Sequence, residues 1–355
     1  MAGRTGRRAG ALLAGALLAA VGCAPESEDT LACDVERGLM VVAQVQEDPE
    51  DPCGPWARSV AGGVVRIDDI VSGSASLWSL DTGAGVGVLV SAAHVLSPCW
   101  SIIWAQDDAG LPQDCPSRFY DPTEEEGKPV IRLAEGDTAR PASEWSPVFP
   151  LFSPDFPVSE VFAGTLAPRD DFSVYVVDGQ TIPAYADIQP PEPEPITGTA
   201  PQVHDPQGRL RGTPSWREAP GGAAVLVVGY PDRSDPYIPQ ARQMEASVGE
   251  VLDDDTARAV ISELAAAGDE EGEIPYDPAA EMLLWGQALP GMSGSGVYDQ
   301  EGTLVGVAVR ATTTPNGRGL VRAVRISHIA ERLADAAATL PADQRGEITP
   351  YLPPL

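Results

Sequence analysis

Short apolar runs alternate with turn residues along most of the chain. The runs that are rich in Val, Ile and Leu and bounded by Gly, Pro, Asp or Ser include 39–45, 60–67, 85–91, 172–177, 223–229, 303–309 and 320–324. Runs of this length between turn residues are typical of antiparallel strands rather than of βαβ units. The pattern therefore predicts an all-β protein.

One segment near the C-terminus has helical periodicity instead. The apolar residues that recur there at helical spacing are Ile329, Leu333, Ala336 and Leu340. Ser327 is placed to cap the first turn, and Glu331 favours the positive end of the helix dipole. We predict a helix over 327–340 and a loosely packed, proline-rich tail at 341–355.

A proline-rich segment divides the strands into two groups. Residues 190–195 read PPEPEP, and proline lacks the amide hydrogen that a sheet ladder needs. We therefore expect a first β domain at 39–178 and a second at 223–326, joined by a connector at 179–222.

The N-terminus has the features of an export signal. Three arginines precede an apolar run that ends at Cys23 and is too short to span a bilayer. This predicts a signal peptide at 1–22, followed by a tether at 23–38. No other stretch of the sequence is long and apolar enough to cross a membrane.

The end of this run, residues 18–23 (LAAVGC), resembles a bacterial lipoprotein box. The resemblance implies that Cys23 is lipidated and becomes the first residue of the mature protein. We expect a cell-envelope lipoprotein, at the outer membrane or the cell surface, whose only membrane contact is its lipid anchor. Ordinary signal-peptide cleavage and free secretion is the alternative.

Charge restricts the choice of partners. The formal net charge is −29 over 355 residues, and so acidic a surface repels phosphate groups. This argues against nucleic acid as a partner. A monomer is also expected. The acidic stretches 253–255 and 269–271 are interpreted as solvated loops, with calcium binding as the alternative.

Four cysteines follow Cys23, and an even number in an exported chain suggests two disulfides. Four cysteines allow three connectivities, of which sequence proximity favours Cys33–Cys53 and Cys99–Cys115. A metal site is the alternative, but the chain offers no CxxC or HxxxH spacing for it. We therefore expect no metal.

Histidine is scarce, which narrows the search for a catalytic base. Only His94, His204 and His328 are present, and a serine nucleophile needs an imidazole to take its proton. His204 falls in the proline-rich connector and His328 in the first turn of the predicted helix. His94 follows a predicted strand and three small residues, so it is the candidate base.

Three segments together resemble a known family. Residues 87–94 (GVLVSAAH) resemble the histidine motif of chymotrypsin-like serine proteases, and 289–297 (LPGMSGSGV), with the turn and strand after them, resemble the nucleophile loop. Residues 169–177 (RDDFSVYVV) resemble the aspartate motif, which assigns the aspartate to Asp171. Its neighbour Asp170 would face away, since adjacent side chains of an extended chain point to opposite faces.

The resemblance implies a catalytic role for each motif. Ser293 would be the nucleophile, His94 the general base and Asp171 the group that orients the imidazole. The amides of Gly291 and Ser293 would form the oxyanion hole. No cofactor is needed, and the product of the first step is an acyl-enzyme.

The order of the three residues separates this family from other serine hydrolases. His94, Asp171 and Ser293 follow one another in the chymotrypsin-like order. An α/β-hydrolase or a subtilisin-like enzyme would place a helix after its serine, whereas a predicted strand follows Ser293.

The fold that the resemblance implies is two antiparallel six-stranded β-barrels and a C-terminal helix, with the active site between the barrels. The function it implies is a serine endopeptidase acting on proteins or peptides. A catalytically inactive, protease-like surface binding protein is the main alternative, and a lipase or esterase is a weaker one. The chain departs from the family at Val95, where many members have cysteine, and in long insertions at 106–160 and 179–222.

Specificity is also read from the resemblance. It places Gln287 at the base of the primary pocket and Arg310 and Ala311 along its wall. A preference for Lys or Arg needs an aspartate at that base, so Gln287 and Arg310 predict a neutral or acidic preference.

Overall fold

A computed structural model describes residues 33–61, 63–68, 72–81, 86–95, 114–115, 118–119, 133–134, 149–178, 218–233 and 243–348. The strands are β1 (Leu39–Val41), β2 (Val64–Asp68), β3 (Ser72–Asp81), β4 (Val86–Ser91), β5 (Asp114–Cys115), β6 (Arg118–Phe119), β7 (Leu133–Ala134), β8 (Phe149–Ser153), β9 (Phe156–Pro157), β10 (Ser173–Asp178), β11 (Ala224–Gly229), β12 (Glu245–Val251), β13 (Glu281–Trp285), β14 (Gly296–Tyr298), β15 (Leu304–Thr313) and β16 (Gly319–Arg325). The α-helices are α1 (Val42–Glu47), α2 (Gly54–Ala61), α3 (Val158–Ala163), α4 (Asp254–Ala267), α5 (Glu270–Glu273), α6 (Ile326–Thr339) and α7 (Ala342–Ile348). Short 3-10 helices lie at Val35–Arg37 and Pro168–Asp170.

The strands between residues 224 and 325 form a closed barrel. Its strands pair antiparallel in the order β12-β11-β14-β15-β16-β13, and β13 pairs back onto β12, which closes a ring of six strands. Strand β1 adds to the outside of β12. Helix α6 follows the barrel, so the second barrel and its C-terminal helix agree with the fold expected from the sequence.

The strands between residues 64 and 178 form a first antiparallel sheet in the order β6-β8-β10-β4-β3-β2-β7. Within the described residues, the pairings run from β6 to β7 without joining the two ends. The sheet therefore matches the expected strand type, and it has seven described strands where a closed ring of six was expected.

Strand β11 shows why some of the apolar runs are continuous. Val225 and Val227 pack in a core cluster inside the second barrel, whereas Leu226 and Val228 pack with residues of the first sheet. Both faces of the strand are buried, so alternation with polar residues is absent.

Two of the predicted strands are partly helical. Strand β1 ends at Val41, and the apolar residues that follow form α1, while residues 60 and 61 end α2. These short helices bury Val42, Val45 and Val60, and the buried residues within each helix are three apart, a helical spacing that the prediction of a strand from an apolar run overlooked.

The acidic stretches begin helices instead of forming loops. The Asp253 carboxylate accepts hydrogen bonds from the amides of Asp255 and Thr256 at the start of α4, and Asp269 caps α5 in the same way. Acidic side chains stabilise a helix N-terminus, where the amides lack partners. Within the described residues, no group of His, Cys, Asp or Glu is arranged to hold a metal ion.

The C-terminal helix begins slightly earlier than expected. Its N-cap is Arg325, which makes no side-chain cap bond, and Ser327 lies inside the first turn. The buried positions Ile329 and Leu333 agree with the prediction. Residues 342–348 of the predicted tail form α7.

A disulfide joins Cys33 and Cys53, as predicted. Part of the range expected for the tether is therefore bonded to the fold, because the bridge holds Cys33 next to the start of α2. The second predicted bridge includes Cys99, which lies outside the described residues, as do the predicted signal peptide, Cys23, His204 and most of the predicted connector. Across the described part of the chain, every helix is too short or too polar to span a bilayer.

Candidate active site

His94 and Asp171 come together because β4 and β10 are neighbours in register. Ser91, the last residue of β4, pairs with Ser173, the first residue of β10. His94 follows β4 in a tight turn whose Ala92 and Ala93 are fully buried, and Asp171 precedes β10. The small alanines let the turn pack closely enough for the two side chains to meet.

Two hydrogen bonds join His94 and Asp171. His94 Nδ1 lies 2.7 Å from Asp171 Oδ2, and the backbone amide of His94 donates to Asp171 Oδ1 at 3.0 Å. The Asp171 side chain is 1% exposed, whereas the imidazole is 28% exposed. A carboxylate only accepts, so Nδ1 carries the hydrogen and Nε2 is left to accept a proton.

Asp170 points away from His94, as expected. Its carboxylate accepts from Arg332 on α6 at 3.0 Å and from the adjacent Arg169 at 3.2 Å. At the end of the 3-10 helix, Asp171 therefore points toward His94 and Asp170 points toward α6.

The loop that carries Ser293 turns on glycines with positive φ. Gly291 and Gly294 both have a φ of 87°, which other residues rarely adopt. The turn is closed by bonds from the amide of Met292 to Leu289 O and from that of Ser295 to Met292 O, each 2.9 Å. Within the described residues, the amide of Ser293 has no acceptor.

Strand β3 of the first sheet fixes this loop. The backbone amide of Ser74 donates to Ser293 O at 2.8 Å, and the Ser74 hydroxyl donates to Gly291 O at 3.1 Å. The same hydroxyl accepts from the amide of Tyr230 at 2.9 Å. Ser74 is a residue that sequence reasoning missed, because β3 (SGSASLWSLD) lacks an apolar run.

A cavity of about 330 Å³ contains all three candidate catalytic residues in its wall. Its lining residues are His94, Asp171, Ser293, Val161, Gly164, Leu166, Glu271, Ala288, Leu289, Pro290, Met292, Ala308, Val309, Arg310 and Ala311. Most of the wall is apolar, and its charged members other than the catalytic residues are Glu271 and Arg310.

Of the three residues expected in the primary pocket, two line the cavity and one does not. Arg310 and Ala311 line the cavity, but Gln287 is exposed and lies outside the lining, with its backbone bonded to Ser247 Oγ. The side chain of Ser247 holds that backbone at the end of β13, which leaves the next residue, Ala288, to form the wall. Glu271 and Gly164 line the cavity without having been predicted.

Solved structures of serine proteases are similar to this chain. A mutant of Rv3671c from M. tuberculosis, in its inactive form, is 16% identical, with 83% of this chain and 96% of that chain covered at a TM-score of 0.40. A Glu endopeptidase in complex with MPD is 13% identical, with 84% and 97% covered at 0.40. An inactivated protease paralogue of the scabies mite is 13% identical, with 79% and 95% covered at 0.41.

The closed barrel and the helix after it agree with the architecture that the three sequence motifs imply. An antiparallel sheet carries the histidine and the aspartate, a closed six-stranded barrel carries the serine, and a helix follows the barrel. No family model and no curated protein matches the sequence.

Proposed function

We propose that the protein is an exported serine endopeptidase that cleaves peptide bonds through an acyl-enzyme. Ser293 is the nucleophile, His94 the general base and Asp171 the residue that orients the imidazole. The observation that carries the proposal is the hydrogen bond of His94 Nδ1 with the buried Asp171 carboxylate in the wall of a cavity that Ser293 also lines.

The chemistry follows from the tautomer. With Nδ1–H donated to Asp171, Nε2 takes the proton as Ser293 Oγ attacks the peptide carbonyl, and His94 then returns it to the leaving amine. The nearly unexposed Asp171 carboxylate stabilises the imidazolium that forms in between. Water then releases the acyl group by the same steps.

The nucleophile loop supplies the oxyanion hole. The carbonyls of Gly291 and Ser293 are both held by Ser74, on the side of the first sheet. The amides of Gly291 and Ser293 would donate to the oxyanion of the tetrahedral intermediate, a kind of interaction whose loss typically slows turnover by about 10²- to 10³-fold.

A fluorophosphonate probe tests this proposal, because it labels only an activated serine. We expect the mature protein to be labelled at Ser293 and to hydrolyse a peptide library. Labelling is expected to disappear in Ser293→Ala and to persist in Ser295→Ala, which removes the buried serine two residues away. A folded protein that resists the probe would instead be a binding protein on this scaffold.

Export is part of the proposal. The Cys33–Cys53 disulfide suggests an oxidising, exported environment. We further propose that the mature chain begins at a lipidated Cys23, and mass spectrometry of the N-terminal peptide tests this. An unmodified start at Ala24 or beyond would contradict it.

A further inference from the structure

We propose that the ion pair between Glu271 and Arg310 sets the side-chain preference of the cavity, which takes an uncharged, apolar side chain. Glu271 acts here as a specificity residue by neutralising Arg310. The proposal deepens the proposed function, since it names the substrate class that the same site accepts.

The pair is held tightly in the cavity wall. Arg310 Nε donates to Glu271 Oε1 at 2.7 Å and to Oε2 at 2.9 Å, while another guanidinium nitrogen lies 2.6 Å from Oε1. The side chains are only 14% and 10% exposed. Arg310 also donates to the carbonyl of Gly164, the residue that ends α3.

Neighbouring contacts fix the Glu271 side of the pair. Arg322, on the strand next to β15, donates to the backbone carbonyls of Glu271 and Ile274, each at 3.1 Å. Arg322 has its own counter-ion in Glu281, at 2.7 Å, and lies 3.7 Å from Glu271. Glu271 is therefore left as the counter-ion of Arg310.

The pair determines what the cavity can hold. A charged side chain that enters would leave water without gaining a free partner, because each member of the pair is already bound to the other. An apolar side chain gains contact with Val161, Leu166 and Leu289 in the wall. The intact pair thus excludes both acidic and basic side chains.

Breaking the pair from either side should change the preference in opposite directions. Glu271→Gln keeps the shape of the side chain and leaves the Arg310 cation without its partner, so an acidic side chain becomes acceptable. Arg310→Met leaves the Glu271 carboxylate facing the cavity and favours a basic side chain, less strongly because Arg322 lies nearby. The double variant Glu271→Gln, Arg310→Met has neither charge and should behave like the starting protein.

The test is equilibrium binding, which does not depend on turnover. Ser293→Ala protein is titrated by calorimetry with N-acetylated tetrapeptides that end in Leu, Glu or Lys. We expect the Leu peptide to bind at least about tenfold more tightly than the other two. When Glu271→Gln is combined with Ser293→Ala, the affinity for the Glu peptide relative to that for the Leu peptide should rise by about ten- to a hundredfold. Adding Arg310→Met as well should reverse that rise.

Glu270→Gln is the matched control, since it removes an exposed charge from the same helix and should leave all ratios unchanged. Equal binding of the three peptides, absence of binding, or the same ratio in Glu271→Gln and Glu270→Gln would overturn the inference. If Glu271→Gln does not fold, the Arg310→Met ratio decides. Failure of the proposed function is separate, because it would appear as unlabelled Ser293 in a protein that still binds the Leu peptide.

Discussion

At the scale of single residues, the two adjacent aspartates have opposite environments. Asp171 is buried against His94, and Asp170 bonds to Arg332 on α6. The backbone between the 3-10 helix and β10 thus separates a candidate catalytic carboxylate from a structural one. Their variants give a matched pair of tests.

We expect Asp171→Asn to lower kcat by about 10⁴-fold with folding intact, because an amide in place of the carboxylate favours the wrong imidazole tautomer. Asp170→Asn should change kcat by less than about tenfold, since it does not touch the reacting atoms. Steady-state kinetics on a peptide substrate measures both. If Asp170→Asn were the inactive enzyme and Asp171→Asn the active one, the orienting role would belong to Asp170 and this assignment would be wrong.

His328 is a titratable residue of α6 that contacts the segment before β10. Its Nε2 donates to the carbonyl of Arg169 at 3.0 Å, and its ring stands edge-on to Phe172. Burial lowers the pKa of His328, and nearby Arg332 lowers it further, against the opposing effects of the Arg169 carbonyl, Asp170 and Asp277. The neutral imidazole is therefore the form that the fold prefers.

This direction gives a stability prediction. Below a pH of about 6.5 the unfolded chain binds a proton at His328 that the folded protein binds less readily, so the free energy of unfolding falls as pH drops from there through the lowered pKa. His328→Gln cannot titrate and should lose less stability over that window, while the two proteins differ by a constant amount at higher pH. Urea unfolding at pH 8 and pH 5 compares them, and parallel losses would contradict the assignment.

At the scale of elements, the backbone of β3 and the backbone of the nucleophile loop lie in direct contact. A Cβ atom at Gly294 would lie 1.9 Å from the carbonyl oxygen of Ser74 and 2.4 Å from Ser91 Oγ. A strand of small residues is needed there because the first sheet and the loop approach at hydrogen-bond distance. The serines of β3 therefore permit the close approach of the loop because they are small, in addition to forming hydrogen bonds with it.

A comparison of Gly294→Ala with Gly317→Ala separates the cost of backbone strain at a positive φ from the cost of a collision with Ser74. Gly317 has a φ of 84° and nothing within 4 Å of its ideal Cβ, so alanine there costs only backbone strain, about 1 kcal/mol. Gly294→Ala adds a collision with backbone and should lower the free energy of unfolding by about 3 kcal/mol or more. Chemical denaturation measures both, and equal losses would show that the loop moves aside.

At the scale of the whole molecule, the disulfide attaches the N-terminal segment to the fold. Cys33 and Cys53 are separated by 20 residues, and between them lie β1 and α1. Strand β1 extends the second barrel through β12, whereas α2 also packs near β11. The bridge thus closes a loop that contains the short strand β1 and the short helix α1.

Replacing both cysteines by alanine should lower the free energy of unfolding by about 3 kcal/mol, because the open loop gains entropy in the unfolded chain. Urea denaturation without reductant measures the change, and with reductant in both samples the variant and the original protein should have the same midpoint. Non-reducing peptide mapping in the same samples tests Cys99–Cys115. Free thiols at both of those positions would refute that second bridge.

Much of the candidate site was predictable from the sequence because its motifs are local. A strand, small residues and a histidine lie within eight positions, and the glycines that turn the nucleophile loop adjoin Ser293. Each motif carries its own backbone requirement, so the single sequence already indicated the order of the three residues. The strand β3 and the helix α4 were missed because serine and aspartate have weak or ambiguous local preferences.

The sequence by itself determined the all-β character, the second barrel's apolar strands and the residues for which a catalytic role is proposed. Only the tertiary structure decided which residues surround them. Arg310 meets Glu271 across 39 positions and Gly164 across 146, and Ser74 meets Gly291 across 217. Such contacts have no local signature, because an ion pair or a hydrogen bond depends on distances that sheet register and loop packing set after the chain has folded.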